Sequence, residues 1–306
     1  MSNPNDAFRN SLKYPQNYIL RNDVEFFPKI KALIDAKNVR VDKHVLHEPL
    51  VVVGDLKEMD LVSSLGRNKF ESILIDPPWF EYYARSGGFM PACKHREDTS
   101  PWSLEEIRNL RIGEIAADQS FCFLWCGNKH VQQANDCLEH WGFKRIEDIC
   151  WIKTNRDEGH LHPRCNYLPY GASEVLYTTK EHLLVGIKGR VSRSIDNYLI
   201  HANVDSDVII EEQAPFGCMS KPVEAYRIIE RFCNSNRRIE LFGSDHNLRP
   251  GWVTVGKQIS SSTNFDPEEY ANITRIERRF IPTTDLIEKL RPRSPTGGSR
   301  TPTPPG

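Results

Sequence analysis

The chain has 306 residues, 39% of them hydrophobic, which is enough for one large domain with a substantial core. Forty basic against forty-one acidic side chains give a formal charge of -1, which excludes a protein that holds nucleic acid by bulk positive charge. Because no apolar run reaches about 18 residues and no targeting pattern opens the sequence, we expect a soluble protein of the cytosol or nucleus.

In chain order, residues 1–44 are polar and mixed, and they predict an arm or cap with one helix at 26–36. From residue 45 onward, short β-rich runs alternate with amphipathic helical stretches. Strands are predicted in HVLHEPLVVVG, FESILIDPPW, SFCFLWCG, FKRIEDICWIKT, EHLLVGIKG, DVIIEE, RRIELFG and WVTVGKQ, and helices at about 103–117, 128–141 and 222–233. This alternation predicts an α/β fold with a doubly wound, mostly parallel sheet that binds ligands at the carboxyl ends of its strands.

Two long segments interrupt the alternation, at 80–102 and 155–180. Connections of this length in a compact domain are usually functional or disordered, so both are candidates for substrate-gripping loops. From residue 285 the composition turns to Pro, Ser, Thr and Gly, which predicts a disordered tail over 285–306. The folded domain is therefore expected at 45–284.

Cysteine and histidine spacing does not favour a metal site. The eight cysteines are scattered, mostly inside apolar runs, and we interpret them as reduced thiols. His160, His162 and Cys165 lie close together but lack a fourth ligand, so no metal is predicted there.

The most specific motif is Asp76-Pro77-Pro78-Trp79, directly after an apolar run. The exocyclic amine of adenine is a poor nucleophile, and a carboxylate with an adjacent backbone carbonyl can accept its two N–H bonds. The prolines would keep that carbonyl aimed, and the tryptophan could stack on a flipped base. We therefore predict these four residues as a catalytic centre. The alternative is a strand stop with Asp76 facing solvent and Trp79 in the core.

A second group of polar residues lies at predicted strand ends and helix starts. Lys221 could pair with the carboxylate of a bound S-adenosylmethionine, and His246, Asn247 and Gln258 could bind its ribose. Asp55, which ends VVVGD, could accept from the adenine amine of the cofactor. Gly243 would let backbone approach the ligand. Taken singly, each is better explained as a cap, a turn residue or a satisfied polar group, and only their joint placement on one rim favours a cofactor site.

Positive charge gathers in two places, which could supply local phosphate contacts that the net charge does not. The predicted nucleic-acid residues are Lys144, Arg145, Lys153, Arg190 and Arg193. A solvated charged face is the alternative.

These motifs resemble the eukaryotic adenosine methyltransferases that write N6-methyladenosine into messenger RNA. The resemblance is closest to the accessory-type subunits, and runs from about residue 15 to 295. It is carried by FLWCG, EDICWIKTN, KEHLLVGIKGRVSRS, IHANVDSDVII, KPVEAYRIIERF, RRIELFG, RPGW and LRPRSP. It implies a Rossmann-like methyltransferase domain, a nuclear setting, an RNA substrate, and obligate pairing with a second methyltransferase-like subunit.

One departure bears on mechanism. Animal accessory subunits have EPPL where this chain has DPPW, and they lack the His-Asn pair, whereas the catalytic subunits of the family have both. Residues matching cofactor-contacting positions of those catalytic subunits are Asp55, Asp76, Lys221, His246, Asn247 and Gln258, with Lys257 replacing an Asn. The combination also resembles plant accessory subunits and ciliate enzymes that methylate adenine in DNA. Catalysis by this chain, a non-catalytic scaffold, and a DNA substrate therefore all remain open at this point.

Overall fold

The structure is a computed structural model that describes residues 28–80, 101–154, 179–190, 205, 207–214, 219–233, 235–261, 263–275 and 281–290. The predicted loops 80–102 and 155–180 lie almost entirely outside these residues, as do Arg193, the arm before residue 28 and the tail after 290.

All eight predicted strands are present. They are β1 Leu50–Val53, β2 Phe70–Ile75, β3 Ala116–Cys126, β4 Lys144–Thr154, β5 Lys180–Lys188, β6 Val208–Glu212, β7 Arg238–Leu241 and β8 Trp252–Gly256. They form one sheet in the order β1-β8-β7-β2-β3-β5-β4-β6. Every neighbouring pair is parallel except the two that involve β5, which runs against both β3 and β4. The predicted mostly parallel α/β sheet is confirmed.

The helices follow the predicted order with one break. They are α1 Pro28–Lys43, α2 Leu61–Ser64, α3 Leu104–Arg108, α4 Ile112–Ile115, α5 Val131–His140, α6 Val223–Phe232, α7 Pro267–Ile273 and α8 Asp285–Leu290, with 3₁₀ turns at Asn128–His130 and Asp245–Asn247. The predicted single helix at 103–117 is thus two short helices, and its last residues belong to β3. Where α4 packs, a Cβ on Gly113 would lie 2.7 Å from the Trp141 carbonyl oxygen, so only glycine fits this approach. No helix among the described residues is both long and apolar enough to cross a bilayer.

Side chains from both faces of the sheet form the core. Every residue of β2 is buried, as expected for a strand covered on both faces. One face packs under α3 to α5, with Leu138 and Leu184 among its members, and the other packs under α6, with Trp125 and Ile229. Because both faces of the sheet are covered, a ligand can reach the sheet only at the ends of the strands and the loops that follow them.

The arm helix α1 is longer than predicted and docks on the body. The Leu33 and Ile287 side chains form a small buried cluster between α1 and α8. The predicted start of the disordered tail at 285 is therefore wrong for these first six residues, because α8 has an apolar face that the arm covers.

A buried charge also fastens the arm. The Arg231 side chain on α6 is 1% exposed; it donates to Asp205 at 2.7 Å and to Asn38 of α1 at 2.9 Å, and it pairs with Glu224. Removing one member of such a network leaves an uncompensated buried charge.

Arg231→Ala should therefore lower the free energy of unfolding by about 3 to 5 kcal/mol in urea denaturation. The control is Lys31→Ala, which removes an exposed pair with Asp35 at 3.9 Å on the same arm and should cost less than about 0.5 kcal/mol. Equal effects of the two changes would show that Arg231 does not fasten the arm.

Candidate methyl-transfer site at the carboxyl edge of the sheet

Most of the residues predicted as a rim are brought to one edge of the sheet. Asp55, Asp76 and Gln258 follow the carboxyl ends of β1, β2 and β8, and the 3₁₀ turn that carries His246 and Asn247 follows β7. Because these four strands are parallel neighbours, with Val53 opposite Gly256 and Ile75 opposite Leu241, their ends meet at the same edge. The antiparallel β5 brings its beginning, with Glu181, to this edge as well.

A chain of alternating charges runs across the edge. The Lys221 ammonium lies 2.8 Å from Glu181 Oε2 and 3.3 Å from Asp76 Oδ1, and Lys153 pairs with the same Glu181. The side chains are 5% exposed for Lys221, 6% for Glu181 and 13% for Asp76. Two ammonium groups and two carboxylates sum to zero formal charge, which is what allows them to be buried together.

Each charge in this chain favours the ionised form of its neighbours. Burial alone would raise the pKa of Glu181, but the ammonium groups of Lys153 and Lys221 outweigh it and hold that pKa well below its usual range. Burial would lower the pKa of Lys221, but Asp76 and Glu181 raise it. Both groups are therefore charged at neutral pH, and Lys221 is already held by two carboxylates before any cofactor carboxylate reaches it.

Asp76 and Trp79 have different surroundings within the motif. Trp79 is 1% exposed, its indole N–H donates to the Trp125 carbonyl at 2.7 Å, and its ring packs on His130. The predicted stacking of Trp79 on a base is therefore wrong for this structure, because the ring is part of the core. For Trp79 the core alternative holds, whereas Asp76 stays partly open at the edge.

The two prolines are buried and their carbonyls are already in use. The Pro77 oxygen accepts from the Trp79 N–H at 2.8 Å, and the Pro78 oxygen accepts from the Trp102 N–H at 3.1 Å. Each carbonyl has a second lone pair, so a further N–H can still be accepted. The prediction that a proline carbonyl faces the substrate amine stays a prediction.

Asp55 lies at the end of the edge formed by β1 and β8. Its Oδ1 accepts from the Lys57 backbone N–H at 2.9 Å, and its Oδ2 lies 3.2 Å from the Lys257 ammonium. The backbone hydrogen bond, together with Lys257, lowers the pKa of Asp55. Lys257 thus forms an ion pair with a predicted cofactor residue, which explains how a lysine is accommodated there.

The turn after β7 is held together by Asn247. Its Oδ1 accepts from the Ser244 backbone N–H at 2.8 Å, and its Nδ2 donates to Glu240 at 2.7 Å and to the Tyr226 hydroxyl at 2.9 Å. Every polar atom of this buried amide is therefore used inside the chain. The predicted ribose contact of Asn247 does not fit this arrangement, and the residue instead fixes the shape of the turn.

His246 and the neighbouring backbone differ from Asn247 in exposure and role. The His246 ring is exposed, and its Nδ1 lies 2.7 Å from the Ser244 hydroxyl. Phe242 has a φ of 64°, a left-handed conformation that non-glycine residues adopt rarely and mainly at functional turns. A Cβ on Gly243 would lie 2.3 Å from the Thr254 side chain, so glycine is needed for packing against β8. The approach of a ligand to this backbone stays a prediction.

Two buried oxygens at this edge have neither a hydrogen-bond partner nor an ion-pair partner among the described residues. They are Glu240 Oε2, one residue before the end of β7, and Gln258 Oε1. Burial raises the pKa of Glu240 to about 8, so its carboxyl is largely protonated at neutral pH.

Two residues of this edge were not predicted from the sequence. Glu240 lies in RIELFG, which has the pattern of any buried strand. Glu181 was not predicted because a strand pattern does not reveal the direction in which the strand runs.

The predicted basic residues do not form one surface. Lys144 and Lys153 lie at opposite ends of β4, and nine residue steps along the extended strand separate them by roughly 30 Å. Arg145 and Arg190 lie near Lys144, at the edge away from Asp76. Grouping Lys153 with Lys144 and Arg145 is therefore wrong, because Lys153 belongs to the buried charge chain. A nucleic-acid role for Lys144, Arg145 and Arg190 stays a prediction.

Within the described residues, no three His, Cys, Asp or Glu side chains come together as a metal site would require. His160, His162 and Cys165 lie outside those residues.

The raised pKa of Glu240 predicts a pH dependence of stability. The folded chain holds this proton up to about pH 8, whereas the unfolded chain releases it near pH 4.5, so the stabilisation is complete below pH 4.5 and is lost as the pH rises through 8. In Glu240→Gln the free energy of unfolding should fall less steeply between these values, by at most about 1.4 kcal/mol per pH unit. Glu105→Gln, on the exposed face of α3, should leave the slope unchanged; a slope unaltered in both variants would contradict the buried proton.

The chain is similar in sequence to subunits of N6-adenosine methyltransferases. The chain is 43% identical over 295 residues to the N(6)-adenosine-methyltransferase non-catalytic subunit METTL14 of Drosophila melanogaster, which covers 94% of this chain and 70% of that protein. It is 40% identical over 291 residues to METTL14 of Xenopus tropicalis, covering 92% and 59%. It is 31% identical over 237 residues to the N(6)-adenosine-methyltransferase catalytic subunit METTL3 of Homo sapiens, covering 77% and 35%.

The MT-A70 family model matches residues 70–258, from the first residue of β2 to the predicted cofactor residue Gln258. The matched segment thus contains the DPPW motif, the buried charge chain and the turn after β7. On this match and on the identity to METTL14, the chain belongs to the MT-A70 family of methyltransferases.

Proposed function

We propose that this chain is a subunit of a complex that transfers methyl from S-adenosylmethionine to the N6 amine of adenine in RNA, and that it binds the cofactor itself. The observation that carries the proposal is Asp76, a partly exposed carboxylate at the end of β2 held 3.3 Å from a buried ammonium. The names of the relatives, a non-catalytic METTL14 and a catalytic METTL3, support the type of complex and the substrate.

The residues at the edge fit the cofactor. Glu240 Oε2 and Gln258 Oε1 lack partners within the described chain. A ribose hydroxyl both donates and accepts, so it suits the protonated Glu240 carboxyl, whose Oε1 already accepts from Tyr226 and Asn247, as well as the Gln258 acceptor. In this proposal Asp55 would accept from the adenine amine of the cofactor. When bound, S-adenosylmethionine would supply a methyl group on a sulfonium sulfur, with a neutral thioether as the leaving group.

In this proposal the protein orients the amine and accepts its protons. Asp76 accepts one N–H of the substrate amine, and Lys221 keeps that carboxylate in place. Transfer of the methyl group leaves the amine with one proton to release, and the Asp76 carboxylate can take that proton before it passes to water. Because the charge chain is largely buried, these hydrogen bonds act in a weakly screened environment where they are stronger than in water.

A second candidate is a non-catalytic scaffold that binds RNA and activates a partner. Lys221 and Asn247 favour it, because both are satisfied inside the chain and would be needed for packing even without a cofactor.

In either case we propose that the chain works as a heterodimer with a second methyltransferase-like subunit, in the nucleus. The formal charge of -1 requires phosphate contacts that are local or shared with that subunit.

Asp76→Asn distinguishes the two candidates. In a purified heterodimer whose partner carries a mutated motif acid, methyl transfer to an RNA oligonucleotide should fall by roughly 10²- to 10³-fold, because the lost acceptor acts mainly in the transition state. Asp136→Asn, an exposed aspartate of α5, is the matched control and should keep full turnover. Undiminished transfer by the Asp76 variant would assign the chain to the scaffold class.

Gln258→Ala tests cofactor binding separately from catalysis. Loss of one hydrogen bond to a ribose hydroxyl should weaken S-adenosylmethionine binding to the same heterodimer by about 1 kcal/mol in calorimetry. Gln132→Ala on α5, where the amide bonds only Asp136 at 2.8 Å, should have no effect. Identical affinities for both variants would remove Gln258 from the cofactor site.

A further inference from the structure

A cavity of about 670 Å³ lies between α1 and α6, away from the DPPW motif. The segment before β1 and the loop before β8 complete its walls, and its charged and imidazole side chains are those of Asp42, His47, Glu48, Arg227, Glu230 and Arg249. Because His47 and Arg249 come shortly before the first residues of β1 and β8, the cavity is at the amino edge of the sheet, opposite the edge that carries Asp55 and Gln258.

Arg249 brings unused hydrogen-bond donors to this cavity. Its guanidinium carbon lies 3.8 Å from the centre of the Tyr226 ring, so one face of the group is covered while the N–H bonds in its plane stay available. Arg249 Nε has no partner, and no hydrogen bond or ion pair joins the guanidinium to any described residue. The ring beneath it is fixed, because Tyr226 is 1% exposed and its hydroxyl donates to Glu240 at 2.7 Å and accepts from Asn247 at 2.9 Å.

A second arginine lies behind the lining of the cavity. Arg238, the first residue of β7, is 1% exposed, and its Nε and Nη2 have no hydrogen-bond partner in the described chain. Its charge is felt at two lining residues. Burial lowers the pKa of His47 and the Arg238 charge lowers it further, whereas Glu230 partly offsets the fall that burial causes in the pKa of Arg238 itself. The His47 ring is therefore neutral at pH 7, and the positive charge at this place belongs to arginines.

The third arginine of the cavity is already engaged by acidic side chains. Arg227 Nη1 lies 2.6 Å from Asp42 Oδ1 and 3.3 Å from Glu230 Oε2. Glu48 is exposed and forms no ion pair with a described residue. With Arg238, the cavity has three arginines and three carboxylates, so its formal charge is balanced. Attraction for an anion is therefore local, and it comes from the guanidinium of Arg249.

We propose that this cavity binds a phosphate group through the guanidinium of Arg249. A guanidinium held on a ring offers two parallel N–H bonds, which match two oxygens of a phosphate. The buried charge of Arg238 adds attraction in a weakly screened place. The volume suits a ligand of nucleotide size, so the sugar and base attached to the phosphate also have room. The inference goes beyond the proposed function, since no methyl-transfer residue lines the cavity.

Oligouridine tests the site in the purified heterodimer, because it carries phosphates but no target adenine. Arg249→Met removes the charge and keeps an apolar stem for Tyr226. It should weaken oligouridine binding about tenfold and lower the slope of log affinity against log salt by about 0.7. Arg249→Lys keeps the charge without the paired N–H bonds, so the slope should be retained and the affinity only partly restored. Glu48→Gln removes the unpaired carboxylate and should change affinity in the opposite direction, towards tighter binding.

The matched control is Arg108→Met, which removes an exposed positive charge from α3 on the other face of the sheet. Uridine monophosphate and inorganic phosphate, measured by equilibrium dialysis with the same variants, identify the source of the phosphate. If Arg249→Met weakens oligouridine binding alone, the phosphate is that of RNA; if it also weakens binding of the small phosphates, the site accepts a free nucleotide. Equal binding of all three ligands by Arg249→Met and Arg108→Met would overturn the phosphate site. Asp76→Asn should leave oligouridine binding unaltered, so the result does not depend on whether this chain catalyses methyl transfer.

Discussion

The candidate site depends on one constraint, which is that four charged side chains can be buried at the sheet edge only as an alternating chain. Lys153, Glu181, Lys221 and Asp76 come from β4, β5, the approach to α6 and the end of β2. Removing any one of them would leave a neighbour with an uncompensated charge in a poorly solvated place. The positions of these elements at the edge are thereby tied to one another.

The same constraint makes the antiparallel strand necessary. Because β5 runs against β3 and β4, its first residues reach the edge where the parallel strands end. A parallel β5 would present Lys188 there and leave Lys221 with one carboxylate fewer. The irregular strand direction therefore supplies Glu181, which is the central member of the charge chain.

Along the rest of the edge, the chain uses some polar groups for itself and leaves others without partners. Asn247 binds Glu240, Tyr226 and Ser244, and so shapes the turn after β7. Glu240 Oε2 and Gln258 Oε1 are buried without partners in the described chain, which is costly unless a ligand supplies hydrogen-bonding groups. The relatives include both non-catalytic and catalytic subunits.

The sequence by itself determined the eight strands, the mostly parallel sheet and the placement of Asp76 at a strand end, because these follow from local hydrophobic patterns and from the proline pair that ends β2. It also placed Asp55, His246 and Gln258 at one rim, since parallel strands end at one edge. The direction of β5, the burial of Trp79 and the separation of Lys153 from Lys144 were decided only by the tertiary structure. Each depends on which element packs beside which, and a periodic pattern is the same whether a strand runs up or down the sheet. The break between α3 and α4 and the docking of α8 on α1 were likewise decided by contacts between residues far apart in the chain.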